Sequence, residues 1–362
     1  GNGLAIRTRG AVTLTDVNSS GNGGGHGVSI NNLTGSGAVR ITSTVEDLSV
    51  SYFGENADFG LSIYANGAVT LAGISANNNG GYGAYIDSSS ASGLFPVTMT
   101  NVGFWNNHYT GLHVISRGAI TITNIDSSDN NNWDDEFTNE GIGGVYLDNT
   151  AGSGAVSILR TVTKWHNWFS NNEGTGLEIR AKGPITLVRV NTDNNRGDGA
   201  ILDNCLLDDT LGLCLGTGGV NINNAAGYAS YFNNNAGMGL YIHSKGAITT
   251  SNISAGNNGG GGAVFDNNET GASGGVTLLA YGDHTNSFNY NGDTGLGVYS
   301  VGAINLTRIE AERNGYRGVR LYNASALSNQ PVTINDARIY SNHGDGLYIN
   351  TKGGVRLTDV QS

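Results

Sequence analysis

Tyrosine, histidine and acidic side chains recur at matching positions of a repeated strand pattern, and these positions are the first candidates for binding chemistry. Apolar and polar residues alternate in the pattern, so the polar positions are expected to share the outer face of a sheet. Aromatic rings on such a face suit stacking against sugar rings or contact with a protein partner. Tyr also forms strands well, which leaves a purely structural role as the alternative. The candidate binding face comprises Tyr64, Tyr85, His113, Tyr146, Tyr241, His243, Tyr299, Tyr322 and Tyr348.

An acidic insertion at residues 130–143 interrupts the repeated pattern. It contains Asp134, Asp135 and Glu136, whose carboxylates are ligands that Ca²⁺ accepts. The run lacks the ligand spacing of an EF-hand or of a glycine-rich calcium repeat, so a solvated acidic loop is favoured over a calcium site. No cofactor is predicted, with Ca²⁺ as the weak alternative.

A second insertion, residues 205–219, contains Cys205 and Cys214, the two cysteines of the chain. Their closeness in sequence favours a local disulfide if the chain is exported, because oxidation is favoured outside the cell. A metal site would need more ligands than two cysteines provide.

The elements that must carry these residues are short strands. The stretch Gly111–Ile125, GLHVISRGAITITNI, contains two apolar alternations joined at a Gly, which predicts two strands with one buried face each. It recurs six more times, beginning at Gly3, Gly60, Gly176, Gly239, Gly295 and Gly346. A related motif with a longer loop lies between successive copies and begins at Gly27, Gly83, Gly144, Gly199, Gly262 and Gly318. The repeat predicts about 13 coils, arranged as two-coil units of roughly 57 residues.

Asparagine marks the turn that closes each coil. It stands four residues before the Gly that opens the next strand, and stacked copies would form an amide ladder. Asn22 lies one residue out of this register, and Glu140 takes the position before Gly144. The predicted ladder comprises Asn56, Asn79, Asn107, Asn172, Asn195, Asn235, Asn258, Asn291, Asn314 and Asn342.

This combination of NxxxGLxI and a second alternating strand resembles the right-handed parallel β-helix of pectin-lyase-like proteins. The resemblance covers the whole chain and implies an all-β fold, a β-solenoid, forming one continuous domain over residues 1–362. The regular two-coil repeats resemble those of large secreted bacterial surface proteins and adhesins more than those of the enzymes.

Polygalacturonase-like enzymes of this class carry NTD, DD, GHG and RIK elements in that order. Here Asn191-Thr192-Asp193 and Asp208-Asp209 occur in order, but the GHG at Gly25-His26-Gly27 lies upstream and no RIK follows. In a chain rich in Asn, Asp and Gly, the turns themselves produce such tripeptides. No catalytic residue is therefore predicted.

Composition and charge exclude several classes of partner. The 362 residues contain 58 Gly and 3 Pro, and the net charge is -11 with 13% charged residues. Nucleic-acid binding is not expected, because it requires clustered Lys and Arg. No apolar run approaches the roughly 20 residues that cross a bilayer. The chain opens at Gly1 and stops at Ser362 without visible capping repeats, which suggests a segment of a longer chain or end-to-end contacts in a fibre.

Together these observations predict a secreted, non-catalytic structural or adhesive β-solenoid at the cell surface, either a stalk or a filament subunit. Its expected partners are flanking repeats or further copies of itself, with surface glycans as possible ligands. Two alternatives stay open: a polysaccharide lyase or hydrolase of the pectin-lyase-like class, and a glycan-binding module that uses the Tyr-rich face.

Overall fold

The computed structural model describes residues 1–45, 50–130, 143–161, 167–208 and 210–362. These residues form strands and turns and no helix, so none of them forms a helix that could span a membrane. The chain divides into two compact units, Gly1–Ile179 and Arg180–Ser362. Each unit is described separately below.

The strands that begin in the first unit are β1 Leu4–Arg7, β2 Val12–Thr15, β3 Val28–Asn32, β4 Val39–Thr42, β5 Ser51–Tyr52, β6 Leu61–Ala65, β7 Val69–Ser75, β8 Ala84–Ser88, β9 Val97–Gly103, β10 Leu112–Ser116, β11 Ile120–Asp126, β12 Gly143–Asn149, β13 Val156–Leu159, β14 Asn167–Trp168 and β15 Thr175–Ala181.

The strands of the second unit are β16 Ile185–Leu187, β17 Val190–Asn191, β18 Ala200–Asp203, β19 Leu207–Asp208, β20 Leu213–Cys214, β21 Val220–Ile222, β22 Ser230–Tyr231, β23 Leu240–His243, β24 Ile248–Ser251, β25 Ile253–Ser254, β26 Ala263–Asn267, β27 Val276–Leu279, β28 Asn286–Ser287, β29 Leu296–Ser300, β30 Ile304–Glu312, β31 Val319–Tyr322, β32 Val332–Tyr340, β33 Leu347–Asn350 and β34 Val355–Gln361.

Each unit is a right-handed parallel β-helix, which confirms the predicted fold class. In the first unit one sheet has the order β1-β3-β6-β8-β10-β12-β15, and in the second unit the corresponding order is β18-β23-β26-β29-β31-β33. Neighbouring strands pair in parallel and in register, as in Leu61 to Ala84 and Ala84 to Leu112. We call this the first sheet. A second sheet contains the strand that follows in each coil, for example β7, β9 and β11 in the first unit.

The core consists of apolar columns that the strand alternation places inside the coils. Residues of equal position stack on one another, because parallel strands in register put like above like. Large and small side chains alternate along one column: Phe53 and Phe104 enclose Ala76, and all three are fully buried. In the second unit Phe232 and Phe288 enclose Ala255 in the same way. This alternation fills the interior without voids.

The asparagine ladder is a continuous run of buried amide hydrogen bonds within each unit. In the first unit Asn56 Nδ2 donates to Asn79 Oδ1 at 2.9 Å, and Asn79 Nδ2 donates to Asn107 Oδ1 at 2.9 Å. In the second unit Asn258 Nδ2 donates to Asn291 Oδ1 at 3.0 Å. Most of these amides also donate to a main-chain carbonyl, as Asn258 does to Phe232 O at 3.0 Å. The side chains therefore supply the hydrogen bonds that the turn leaves unmade.

Two details of the ladder differ from the sequence prediction. Asn130, and not Glu140, occupies the rung between Asn107 and Asn172, with its Nδ2 donating to Asn172 Oδ1 at 3.0 Å. Asn130, the first residue of the 130–143 insertion, is therefore the ladder residue of this coil. Asn22 joins the ladder despite its offset, because its Nδ2 donates to Asn56 Oδ1 at 2.8 Å.

A left-handed backbone conformation recurs at the turn beside each ladder residue. It falls on the residue before each ladder amide, with φ of 56° at Asn78 and 57° at Asn257. The ladder residues themselves have negative φ. Asn at the preceding position tolerates this conformation better than most residues, which explains the repeated Asn-Asn pairs.

Candidate functional site

The outer face of the first sheet in the first unit presents two parallel rows of polar and aromatic side chains. Strand alternation turns every second residue outward, and the parallel register aligns them across strands. The first row contains Ser62, Tyr85, His113 and Tyr146, on β6, β8, β10 and β12. The second row contains Tyr64, Asp87, Ile115 and Asp148 on the same strands. Four of the nine predicted binding residues thus lie side by side.

The rings of these residues contact one another across the strands. Tyr85 and His113 have ring centroids 5.1 Å apart, and His113 and Tyr146 are separated by 4.8 Å. Tyr64 joins from the second row, with its ring 5.7 Å from that of Tyr85. These are the separations at which aromatic rings attract each other.

Three further rings, which the sequence prediction missed, border the same rows. Phe59, Tyr82 and Tyr109 lie in the turns just before the strands, and Tyr82 contacts both Tyr85 at 5.8 Å and His113 at 5.5 Å. Phe59 and Tyr109 contact Tyr82 at 4.9 and 5.7 Å. The signal in the sequence is an aromatic residue one or two positions before the Gly that opens a strand. We name the set Phe59, Tyr64, Tyr82, Tyr85, Tyr109, His113 and Tyr146 the aromatic surface.

His113 lies at the centre of the aromatic surface in an apolar setting. Burial lowers the pKa of its imidazole to about 4, although the charges of Asp148 and Asp87 oppose the shift. Neither ring nitrogen of His113 has a hydrogen-bond partner among the described residues. At neutral pH the side chain is therefore an uncharged imidazole, and both of its nitrogens are buried.

The surroundings of Tyr85 also shift the pKa of its side chain. Burial, together with the charge of Asp87, raises the pKa of its phenol to about 12. Tyr85 consequently keeps its proton at neutral pH and can donate a hydrogen bond to a ligand oxygen.

The two carboxylates of the second row are held by turns at the ends of their strands. Asp87 Oδ1 accepts hydrogen bonds from Ser89 N at 2.8 Å and Ser89 Oγ at 2.6 Å, and Asp148 Oδ1 accepts one from Thr150 N at 2.7 Å. These bonds fix the orientation of both acidic groups beside the aromatic surface.

The other predicted binding residues lie in the second unit and form separate small groups. Tyr241 and His243 have ring centroids 6.2 Å apart, and Tyr299 and Tyr322 are 6.3 Å apart. The Tyr348 ring lies 4.7 Å from the guanidinium carbon of Arg317. Within the described residues of this unit, no run of ring contacts as long as that of the aromatic surface is present.

His243 differs from His113 because it has a charged partner. Burial would lower the pKa of its imidazole, but the hydrogen bond and charge of Asp203, with the charges of Asp266 and Glu269, raise it. Asp203 shows the reverse balance: burial would raise its carboxyl pKa, and hydrogen bonds from His243 and from Leu206 N lower it. The two residues form an ion pair when His243 is protonated.

The loop that follows Asp203 is closed by a disulfide between Cys205 and Cys214, whose Cα atoms are 4.6 Å apart. Cys205 is fully buried and Cys214 nearly so. Within the loop, β19 and β20 pair antiparallel.

The tripeptides compared with polygalacturonases serve turns in this structure. Asp193 Oδ1 accepts a hydrogen bond from Asn233 N at 2.9 Å, and Asp208 Oδ1 accepts one from Thr210 N at 2.8 Å. Asp209 lies outside the described residues, and so do the calcium candidates Asp134, Asp135 and Glu136.

A scan for known protein families and a search of curated proteins find no match. A search of solved structures matches the A-module of the mannuronan C-5 epimerase AlgE4 from Azotobacter vinelandii, with a TM-score of 0.49 and 13% sequence identity. The match covers 99% of this chain and 91% of that chain. At this identity the similarity concerns the fold alone.

This match corrects one prediction from the sequence. The chain was predicted not to be an enzyme, because regular two-coil repeats are typical of surface stalks. Against this prediction stands the match to a module of a mannuronan C-5 epimerase, which is an enzyme.

Proposed function

We propose that the chain is an enzyme that binds a polysaccharide on the aromatic surface and modifies it there, with Asp87 and Asp148 beside that surface as the groups that transfer protons. The observation that carries the proposal is the unbroken series of ring contacts from Tyr64 through Tyr85 and His113 to Tyr146. These rings are partly exposed, so their faces and edges are accessible to a ligand. Aromatic rings offer large contact area at low entropic cost.

The register of the sheet favours an elongated ligand. Successive rings are carried by neighbouring strands, which repeat about every 4.8 Å. A polymer of sugar rings lying across the strands would therefore meet an aromatic ring on each of several coils. Tyr residues that are not on neighbouring strands would not offer a ring at each coil.

The charges around the aromatic surface favour a neutral polysaccharide. The surface itself contains no Lys or Arg, and Asp87 and Asp148 lie in the adjoining row. A polyuronate would face these carboxylates without a compensating cation in the set, and like charges in a partly buried site repel each other.

Hydrolysis is the reaction that fits a neutral glycan. Elimination needs a carboxyl group beside the C–H bond that is broken, whereas hydrolysis needs groups that move protons around a glycosidic oxygen and a water. Asp87 and Asp148 lie two strands apart, or about 10 Å by strand spacing, which is close to the separation of carboxylates in inverting glycosidases.

The test separates binding from turnover. Affinity electrophoresis in gels containing neutral or uronate polysaccharides should retard the chain with a neutral glycan. Tyr85→Ala should weaken that retardation about 10-fold, as expected for the loss of one stacking ring. Tyr340→Ala, which removes an exposed ring of the second unit, is the matched control and should change nothing.

Turnover is measured on the glycan that binds, by release of reducing ends. Asp148→Asn should retain binding and lose about 10²-fold or more of the rate, because it removes a group that transfers protons. Ultraviolet absorbance of an unsaturated product would identify elimination instead and overturn the hydrolytic assignment. If Tyr85→Ala and Tyr340→Ala behave alike, the aromatic surface is not the binding site.

We also infer that the chain functions outside the cytoplasm. The Cys205–Cys214 disulfide supports this location, because such bonds persist in oxidising compartments. Fractionation of cells that produce the chain, with thiol labelling of each fraction, tests the inference. Recovery of the chain only in the cytoplasm with both thiols reduced would contradict it.

A further inference from the structure

Cys205, Cys214 and His243 form the one group of metal-binding side chains found among the described residues. Their ligand atoms all lie within 4.8 Å of one another. In the oxidised chain both sulfurs are engaged in the disulfide and cannot bind a cation. Reduction would leave two thiols and an imidazole at the same place. This group is independent of the aromatic surface, which belongs to the other unit.

We propose that the disulfide masks a redox-controlled site for a soft divalent cation, with Zn²⁺ as the expected occupant, formed by Cys205, Cys214 and His243 after reduction. Two thiolates and one imidazole are the ligand types that Zn²⁺ prefers over Mg²⁺ or Ca²⁺. The fourth tetrahedral position would be filled by water. Neutral charge balance results, because two thiolates offset the charge of the ion.

The distances allow the site to form with small movements. Tetrahedral zinc with sulfur and nitrogen ligands keeps its ligand atoms about 3.5 Å apart. The sulfurs must separate once their bond is broken, and the imidazole must approach by about an ångström. Cys214 lies on β20, which pairs with the two-residue strand β19.

The surroundings supply the outer shell of a zinc site. Asp203 Oδ1 lies 3.3 Å from His243 Nδ1. The imidazole can therefore coordinate through Nε2 while a carboxylate holds its other nitrogen, which is the usual arrangement around zinc-bound histidines. Asp203 is fixed in turn by hydrogen bonds from Cys205 N and Leu206 N, both at 3.0 Å.

The loop is also tied to the coil that carries the histidine. Lys245, two residues after His243, donates from Nζ to the main-chain oxygen of Cys214 at 2.8 Å. Both cysteines are buried.

The chemical step is a thiol–disulfide exchange. A small dithiol attacks the Cys205–Cys214 bond, is itself oxidised to a cyclic disulfide, and leaves two reduced cysteines in the chain. Zinc binding then displaces the two thiol protons into solvent. The reverse exchange with that cyclic disulfide re-forms the Cys205–Cys214 bond, regenerates the small dithiol and releases the ion.

The experiment titrates Zn²⁺ against a chromophoric chelator, using the full chain in its oxidised form and after reduction by a dithiol that is then removed without air. The reduced chain should bind one equivalent, and the oxidised chain none at the same concentrations. Co²⁺ used as a probe should give the intense charge-transfer absorption of thiolate ligation in the reduced chain only.

Three variants decide whether the site is the one proposed. His243→Ala should weaken zinc binding by at least 100-fold, Asp203→Asn by about 10- to 100-fold, and His343→Ala, which changes an exposed histidine, should leave it unchanged. If His243→Ala and His343→Ala bind zinc equally well, the proposal is overturned. That result would mean that the two thiols bind zinc without the imidazole of His243. Binding by the oxidised chain would overturn it as well.

Discussion

His243 on β23 and Asp203 on β18 occupy paired positions of neighbouring parallel strands, and their Nδ1 and Oδ1 atoms are 3.3 Å apart. The same pairing places Asp266 of β26 on the other side of His243. Strand register alone thus sets a titratable imidazole between two carboxylates. The pKa values of both partners respond to this arrangement, and the response can be measured.

Asp203→Asn should lower the pKa of His243 below 6.5, because burial, which lowers it, would then outweigh the remaining charges. The measurement is an NMR titration of the imidazole Hε1 proton. Asp266→Asn removes a charge but no hydrogen bond to the ring, so it should lower the pKa less. An equal effect of the two substitutions would mean that the direct contact is not the main cause.

The His243–Asp203 pair should also make the free energy of unfolding depend on pH, with a loss of stability at high pH and another at low pH. The raised pKa of His243 gives stability that is complete below pH 6.5 and is lost as pH rises through the folded-state value. The lowered pKa of Asp203 gives stability that is complete above pH 3.8 and is lost as pH falls through its folded-state value. Urea unfolding across this range should therefore show a contribution that is largest between these limits and is absent in Asp203→Asn.

His113 should destabilise the folded chain in acid. Its pKa of about 4 lies below the ordinary 6.5, so the unfolded chain takes up this proton more readily than the folded chain. Stability should fall as pH drops from 6.5 toward 4, by about 3 kcal/mol in total. In His113→Gln that part of the pH dependence should disappear from urea unfolding curves. If the loss of stability between pH 6.5 and 4 is the same in His113→Gln, the pKa of His113 is not lowered in the folded chain.

Asn258→Ala should destabilise the chain by about 2–4 kcal/mol, because it leaves buried partners on both sides without hydrogen bonds. The lost bonds run from Asn235 Nδ2 to Asn258 Oδ1 at 3.1 Å and from Asn258 Nδ2 to Asn291 Oδ1 at 3.0 Å. Asn335→Ala, at an exposed strand position, is the matched control and should change stability by less than about 0.5 kcal/mol. Chemical denaturation of the two variants compares them; similar values would mean that the ladder contributes little.

Phe232→Ala should cost about 3–5 kcal/mol, since it empties a fully buried position between packed coils. The preceding residue, Tyr231, is 40% exposed, and Tyr231→Ala should cost under about 1 kcal/mol. Thermal unfolding of both variants gives the comparison. A small loss at Phe232 would indicate that the adjoining layers collapse into the space.

The fold could be predicted because each coil repeats the same local rules. Alternation in stretches such as Gly111–Ile125 determines which side chains face inward, and the recurring Asn determines where the coil turns. The prediction failed where an insertion changed the spacing. Glu140 stands at the expected distance from Gly144, whereas Asn130, on the other side of the insertion, makes the ladder bonds.

The candidate site was less predictable, because side-chain contacts between coils depend on register and ring orientation. The outward position of Tyr85 and His113 followed from alternation, but the contribution of Tyr82 did not, since turn residues have no fixed outward direction. Likewise, the nine-residue separation of Cys205 and Cys214 suggested a disulfide. Nothing in the sequence indicated that His243, from the next coil, would lie beside it.

The position of Asn130 has a practical consequence for engineering. Its amide accepts a hydrogen bond from Asn107 and donates one to Asn172, and β12 resumes the first sheet at Gly143. Replacement of residues 131–142 by a foreign peptide should therefore leave Asn130 and Gly143 in place, because these two residues join the insertion to the ladder and to the sheet.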